Sequence, residues 1–356
     1  MEEKKDIQIK LNAHKKHSRN WHLYNLAQTN EKRFFYHLLY ELCCIILEPH
    51  HGNGRPPCQV KDLIFCLGLK LYCNSSGRRI SSDLVHAQGI GYIKKAPHFN
   101  TLNDFLRCPE TYALLQKLLR ISAMPLRYLE DDFSIDSSGF GAYTYERWVR
   151  IRFSEKYKEK RRNYLKGHVC IGTRTNIICD CEITDGHEAD INQMPVLLKR
   201  TAANFKIQEV SADKAYSSKR MHQLIEALGA IPYIPFKYTA NPDERSPSIW
   251  RQMYGYFTNH KEEFLKHYHK RSNVETVFAM VKTKFGEFLK GKTLVSQKNE
   301  LVMKFICHNL ACLVHEIFEN KIQIEFKQCL DYFVEKKEVD ESRFVPHRKS
   351  AKKNYL

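Results

Sequence analysis

The 12 cysteines of this 356-residue chain include no Cys-x2-Cys pair, so the commonest zinc spacing is missing. Cys43 and Cys44 are adjacent, and Cys179 and Cys181 alternate within an expected strand. Cys58, Cys66, Cys73 and Cys108 are scattered through expected helices, as small apolar residues would be. His308, Cys312 and His315 could share one helix face as metal ligands, but a core helix gives the same pattern and no fourth ligand is evident. Reduced, mostly buried thiols are therefore expected. Long apolar runs are also lacking: DLIFCLGLKLYC, residues 62–73, is interrupted by Lys70 and is too short to span a bilayer. The opening MEEKKDIQIK has no apolar core of a secretory leader, and a cytoplasmic protein is expected.

Acidic residues are the minority charge. Lys and Arg number 57 against 40 Asp and Glu, a formal net charge of +17, which favours a polyanionic partner. The charge is concentrated in RWVRIRFSEKYKEKRRNYLK, residues 147–166, where Arg161, Arg162 and other cations are interleaved with Trp148, Phe153, Tyr157 and Tyr164. Cations neutralise phosphates and aromatic rings stack on unpaired bases, although a solvated loop between strands has the same composition. Hydrophobic residues make up 43%, enough for a globular protein with sizeable cores.

The most specific pattern lies in HYHKRSNVETVFAMVKTKFG. Tyr268, Arg271, Glu275 and Lys282 are spaced Tyr-x2-Arg-x3-Glu-x6-Lys, which puts all four within about 60° on an α-helix. Val274, Val277, Phe278 and Val281 fall elsewhere on the helix and can seat it on a core. A carboxylate flanked by cations suits a metal ion held beside a phosphate backbone, while a solvated helix with an Arg271–Glu275 pair is the plainer alternative. Two further segments keep this stripe company. FSIDSSGFGA reads as a strand ending in Asp136, and QEVSADKAYSS reads as a strand ending in Asp213 before a helix.

Asp136-Ser-Ser-Gly, Ala-Asp213-Lys-Ala-Tyr and the Tyr268 to Lys282 run, in this order, resemble a DDE transposase of the prokaryotic insertion-sequence type over about residues 126–320. The resemblance implies an RNase H-like α/β catalytic domain, with a mixed sheet flanked by helices, that gathers Asp136, Asp213 and Glu275. It implies that this triad is catalytic and binds two Mg2+ ions, with Mn2+ as a substitute, while Tyr268, Arg271 and Lys282 contact DNA. Two such ions would serve water attack at the element end and attack of the freed 3′-OH on target DNA, with no nucleotide cofactor. Double-stranded DNA, as terminal inverted repeats and as target, is the implied partner, with a homodimer as the active complex on the nucleoid. The acidic run TDGHEAD, residues 184–190, is expected to be a loop. Relatives that excise through DNA hairpins often carry a large β-rich insertion before the Glu. Only 61 residues separate Asp213 from Glu275 here, part of them helical in SPSIWRQMYGYF, where Trp250 could stack on a flipped base or simply pack.

Three segments are expected: a helical DNA-binding region at 1–125, the catalytic domain at 126–325, and a C-terminal helix with a basic tail at 326–356. EKRFFYHLLYELCCIILE and QVKDLIFCLGLKLYC have helical periodicity, and a turn at Asn74–Gly77 leads to a helix expected to open with Arg78 and Arg79. This is the outline of a helix-turn-helix and equally of any helical hairpin. A further helix is expected from Thr101, capped by Asn100. Beyond residue 130, strands are expected at 166–174 and 176–184, a helix at 191–202, then the Asp213 strand, a helix and a short strand IPYIPF. A structure-selective nuclease or resolvase of the same fold would share the triad, and a domesticated DNA-binding protein would share the basic surface.

Overall fold

The computed structural model describes residues 20–49, 57–142 and 164–339. Five helices come first: α1 (Trp21–Cys44), α2 (Val60–Tyr72), α3 (Ser81–Gly89), α4 (Phe99–Arg107) and α5 (Glu110–Ala123). Then follow β1 (Asp132–Ala142), β2 (Tyr164–Gly172), β3 (Ile178–Asp185), α6 (Met194–Asn204), β4 (Glu209–Ala212), α7 (Lys219–Ala227) and β5 (Ile231–Tyr233). The chain continues through α8 (Ser248–Asn259), α9 (Lys261–Tyr268), α10 (Ser272–Phe285), β6 (Phe288–Leu289), α11 (Leu294–Asn320) and α12 (Phe326–Asp331).

The sheet has the order β3-β2-β1-β4-β5, antiparallel from β1 through β3 and parallel from β1 through β5, with β6 added in parallel to the end of β1. This mixed sheet flanked by helices, after an all-helical N-terminal region, is the RNase H-like architecture that was expected. Parallel neighbours need a crossover, and α6 and α7 supply them around β4.

Several expected boundaries shift for local reasons. α1 starts at Trp21 because Asn20 accepts hydrogen bonds from the His22 and Leu23 amides, a cap well ahead of the apolar periodicity. α3 opens at Ser81, leaving Arg78 and Arg79 in the preceding turn. α4 begins at Phe99, with His98 rather than Asn100 as its cap. The expected 191–202 helix divides into a 3-10 turn, Asp190–Asn192, and α6, with Pro195 in the first turn of the latter.

α11 organises the core. Its Thr293–Ser296 capping box starts a helix buried along most of its length. It packs on α1, α2, α4 and α5 on the N-terminal side, and on β3 and α10 of the sheet layer. The helix is long and apolar enough to cross a membrane, yet 78% of its apolar window is buried inside the protein. One continuous buried cluster runs from Phe35 through the strands to Phe326, so the core does not divide at residue 125. A second, smaller cluster of Tyr233, Phe236, Ile249, Trp250, Met253 and Phe264 closes the segment between β5 and α9.

Several polar groups inside α11 are matched to backbone. Asn309, fully buried, accepts from the Ile178 amide at 2.9 Å and donates to the Ile178 carbonyl at 2.8 Å and the Ser122 hydroxyl at 2.9 Å. It therefore completes the pairing at the start of β3. Asn309→Leu keeps the volume but strands both backbone groups, each worth about 1–3 kcal/mol when unpaired. We expect a loss of about 2 kcal/mol or more, read as a lower urea midpoint at unchanged slope. A wild-type midpoint would show that the bonds do not hold β3.

Candidate active site

Side chains alternate along β1, so Asp132, Ser134, Asp136, Ser138 and Phe140 line one face of the strand. Their neighbours Phe133 and Ile135 point into the core and are buried. The strand was expected to end at Asp136; it runs on to Ala142, because β2 pairs with it through Gly141 and the small residues Ser137, Ser138 and Gly139 fit the pleat. β4 ends at Ala212, which pairs with Ile135, so Asp136 and Asp213 each lie one residue beyond the same pair on adjacent parallel strands. Asp213 is followed by a 3-10 turn, Lys214–Tyr216, and its carboxylate accepts from the Lys214 amide at 2.7 Å.

The Tyr268–Lys282 run is one helical path but not one α-helix. Tyr268 ends α9, a 3-10 turn spans His269–Arg271, and α10 carries Glu275 and Lys282. α10 lies along the polar face of β1. Arg271 donates to Asp136 at 2.7 Å and to Glu275 at 2.5 Å, while Lys282 donates to the Ser138 hydroxyl at 2.8 Å and sits 5.1 Å from the Phe140 ring centre. Val274, Val277, Phe278 and Val281 are buried, as the helix pattern anticipated. Tyr268 borders the smaller core cluster, with the Arg271 guanidinium 5.9 Å from its ring centre.

Burial raises the Asp136 carboxyl above its ordinary value, opposed by the Ser137 amide and Arg271 and reinforced by the negative charges of Asp213 and Glu275. The three carboxylates therefore share one electrostatic neighbourhood, with Arg271 set between two of them. Among the described residues, no group of three His, Cys, Asp or Glu side chains converges closely enough to hold a metal ion. The donor set nevertheless fits Mg2+, which prefers hard oxygen ligands and keeps several waters; closing on the ion requires Arg271 to release Asp136 and Glu275.

Tyr216, from the Ala-Asp213-Lys-Ala-Tyr segment, is buried against the site, its hydroxyl held well above the ordinary value by burial first and then by Asp136, Asp190 and Asp213. Asp190, at the end of TDGHEAD, thus approaches the site, but Lys166 donates to it at 3.0 Å. Arg78 and Arg79 stand apart on the exposed turn before α3, with the Arg78 guanidinium 5.4 Å from the Phe99 ring centre. Lys290 donates to Asn74 in that turn at 2.7 Å, tying it to the segment after β6. Arg161 and Arg162 lie outside the described residues. Trp250 is buried beside His222 and Phe236, so it packs and does not present a ring to a base.

Two sequence patterns change meaning in three dimensions. His308 bonds the Asn176 carbonyl at 2.9 Å, Cys312 lies 3.3 Å from His308, and His315 pairs with Gln28 at 2.9 Å, so these three residues serve the core. GEFLKGKT, residues 286–293, has phosphate-loop spacing that is easily passed over. Its context is wrong for that role: β6 occupies its middle, and the Lys290 and Gly291 amides already donate to the Glu300 carboxylate at 2.8–3.1 Å. Lys270 and its partner Asp132 do not stand out in the sequence, although Asp132 lies four residues before Asp136 and so on the same face of the strand.

An RNase H-like sheet with aspartates on adjacent parallel strands, crossed by a helix bearing a glutamate between two cations, defines a nucleic-acid-processing enzyme of the carboxylate-centred class. The profile of the Transposase DDE domain matches residues 127–310, and the chain belongs to that family, which makes it a transposase. No curated protein and no solved structure matches the chain.

A buried carboxylate with a raised pKa costs stability while it is charged and ceases to do so as pH falls through the folded-state value. Asp136→Asn should therefore melt no lower than wild type at pH 7.5, and its advantage should shrink as the pH is lowered. Differential scanning fluorimetry across that range checks this; a variant clearly less stable at pH 7.5 would mean that the Arg271 pair outweighs the burial of Asp136.

Proposed function

We propose that this transposase binds the terminal inverted repeats of a mobile element, cuts its ends and joins them to target DNA. The observation that supports this reading is the Arg271 bridge between Asp136 and Glu275, with Asp213 near enough to raise the Asp136 carboxyl through its charge. Asp136 and Asp213 follow directly on the β1–β4 pairing and Glu275 rides on the seated α10, so the strand register would hold two ligands and a helix the third. Two Mg2+ ions, or Mn2+ in their place, would supply an activated oxygen nucleophile and neutralise the leaving oxygen. Arg271, released from the carboxylates, would turn to the DNA backbone, for which its planar fork is suited. Lys282 would contact a phosphate beside the scissile bond, and Tyr268 would pack against the sugar-phosphate chain. Water attack on the end phosphodiester leaves a 3′-OH; attack of that hydroxyl on a target phosphodiester forms the new bond and frees a target 3′-OH.

The helices before residue 125, with Arg78 and Arg79 on their exposed turn, and the basic stretch with Arg161 and Arg162 would hold duplex DNA, largely through phosphate contacts. Two element ends must be handled together, which favours a homodimer acting on the nucleoid in the cytoplasm. Cut-and-paste movement is the outcome proposed, which adds cleavage of the second strand at each element end, with the 126–325 segment supplying the chemistry.

Asp136→Asn, Asp213→Asn and Glu275→Gln should each abolish Mg2+-dependent cleavage of element-end DNA while leaving the protein folded. Wild-type cleavage by any one of them removes that residue from the centre. Lys282→Ala should weaken DNA binding in Ca2+ and lower the salt slope by about 0.9, the value for one lost phosphate contact. Glu275→Gln should bind at least as tightly as wild type. Unchanged affinity and slope with poor cutting for Lys282→Ala would place Lys282 in the chemistry and not in the grip on DNA.

A further inference from the structure

Asp132 and Glu209 are the first residues of β1 and β4 and pair directly in register, so two carboxylates face each other at the start of the parallel ladder. Like charges so placed repel. Lys270 resolves the conflict, donating to Asp132 at 2.6 Å and to Glu209 at 2.7 Å, with all three side chains at least partly withdrawn from solvent. His267 lies 2.8 Å from the other Glu209 oxygen and stacks on Tyr233, centroid to centroid 4.4 Å. Burial and the Lys270 pairing act on Asp132 in opposite senses, as expected of a carboxylate that needs its cation.

Lys270 and Arg271 are consecutive in the turn that leads into α10, and each binds one of two carboxylate positions four residues apart on β1. The end-to-end lengths match: from Asp132 to Ser138 is about 20 Å of strand, and from Lys270 to Lys282 is about 18 Å of helix, while the long side chains of the adjacent Lys270 and Arg271 span the roughly 13 Å between Asp132 and Asp136. The helix is thus pinned to the strand face at three successive points, by Lys270, Arg271 and Lys282. Of these the Arg271 tie must break for the carboxylates to close on metal, and the Lys282 tie must break for that cation to reach a phosphate. Lys270 alone holds carboxylates outside the centre.

We infer that Lys270 is a positioning residue: its bridge to Asp132 and Glu209 keeps the start of α10 on the two strands that carry Asp136 and Asp213, so that Glu275 stays in reach of them after Arg271 lets go. The inference rests on the three-carboxylate reading above. It requires that metal affinity, and not only folding, depend on a lysine that touches neither metal nor DNA.

The test uses full-length protein without DNA and reads Mn2+ affinity by electron paramagnetic resonance for wild type, Lys270→Gln, Lys270→Arg and Asp213→Asn, with melting temperatures alongside. Mg2+ dependence of cleavage is then measured for the first three. Lys270→Gln should bind Mn2+ about 10-fold or more weakly, the usual size of an outer-sphere effect, and need correspondingly more Mg2+, with rate recovered at high Mg2+. Lys270→Arg should restore both. Wild-type Mn2+ affinity in Lys270→Gln, even at a lower melting temperature, overturns the inference, since Lys270 would then only neutralise its partners. Should Lys270→Gln not fold, the double variant Asp132→Asn/Glu209→Gln removes the same bridge without the repulsion, and wild-type Mn2+ affinity there is equally fatal. Equal Mn2+ binding by wild type and Asp213→Asn would instead overturn the three-carboxylate reading, and the role of Lys270 with it.

Discussion

The alternation of side chains on β1 is the constraint from which the site follows. One face gives Phe133 and Ile135 to the core; the other turns Asp132, Asp136 and Ser138 toward whatever covers the sheet there. An apolar helix on that second face would leave two carboxylates desolvated and unpaired, at a cost of several kcal/mol each. The covering helix must therefore bring cations, and Lys270, Arg271 and Lys282 supply them, the long side chains of the consecutive Lys270 and Arg271 reaching carboxylates four residues apart on the strand.

The N-terminal helices and the sheet share a core because α11 has no face left for solvent. Its apolar residues meet α1, α2 and α5 on one side and β3 on another, and, the Asn299 Oδ1 excepted, most of its buried polar groups have partners. Lys304 is an example. Burial lowers its pKa, yet its ammonium donates to the Gly286 and Phe288 carbonyls at 2.8 and 2.9 Å, holding the link between α10 and β6 against the helix. The end of the helix that bears Lys282 is in this way fastened to the centre of the molecule.

Much of this was legible from sequence because the decisive signals are local. Asp136, Asp213 and Glu275 stand next to small residues, a strand end and a strict helical spacing, and the strands and most helices followed from periodicity. What was missed depends on contacts between distant segments. The break into a 3-10 turn at His269–Arg271 leaves no mark in hydrophobic periodicity. The Lys270 bridge joins residues more than a hundred positions apart in the case of Asp132, and no spacing rule reaches that far. Boundaries such as Trp21 and Ser81 moved because single capping bonds and turn geometry decide them, while GEFLKGKT shows the converse, a local pattern emptied of its usual meaning by the carboxylate of Glu300.

The tie between Lys290 and Asn74 joins the exposed turn of Arg78 and Arg79 to the segment that leaves β6, and β6 is hydrogen-bonded to the far end of the strand that carries Asp136. A duplex gripped at that turn would be offered to the carboxylates at a separation built into the sheet, as a stop on a workbench sets the length of every piece cut against it. The position of the cut relative to the gripped sequence would then be a length encoded in the fold and constant from one element end to the other.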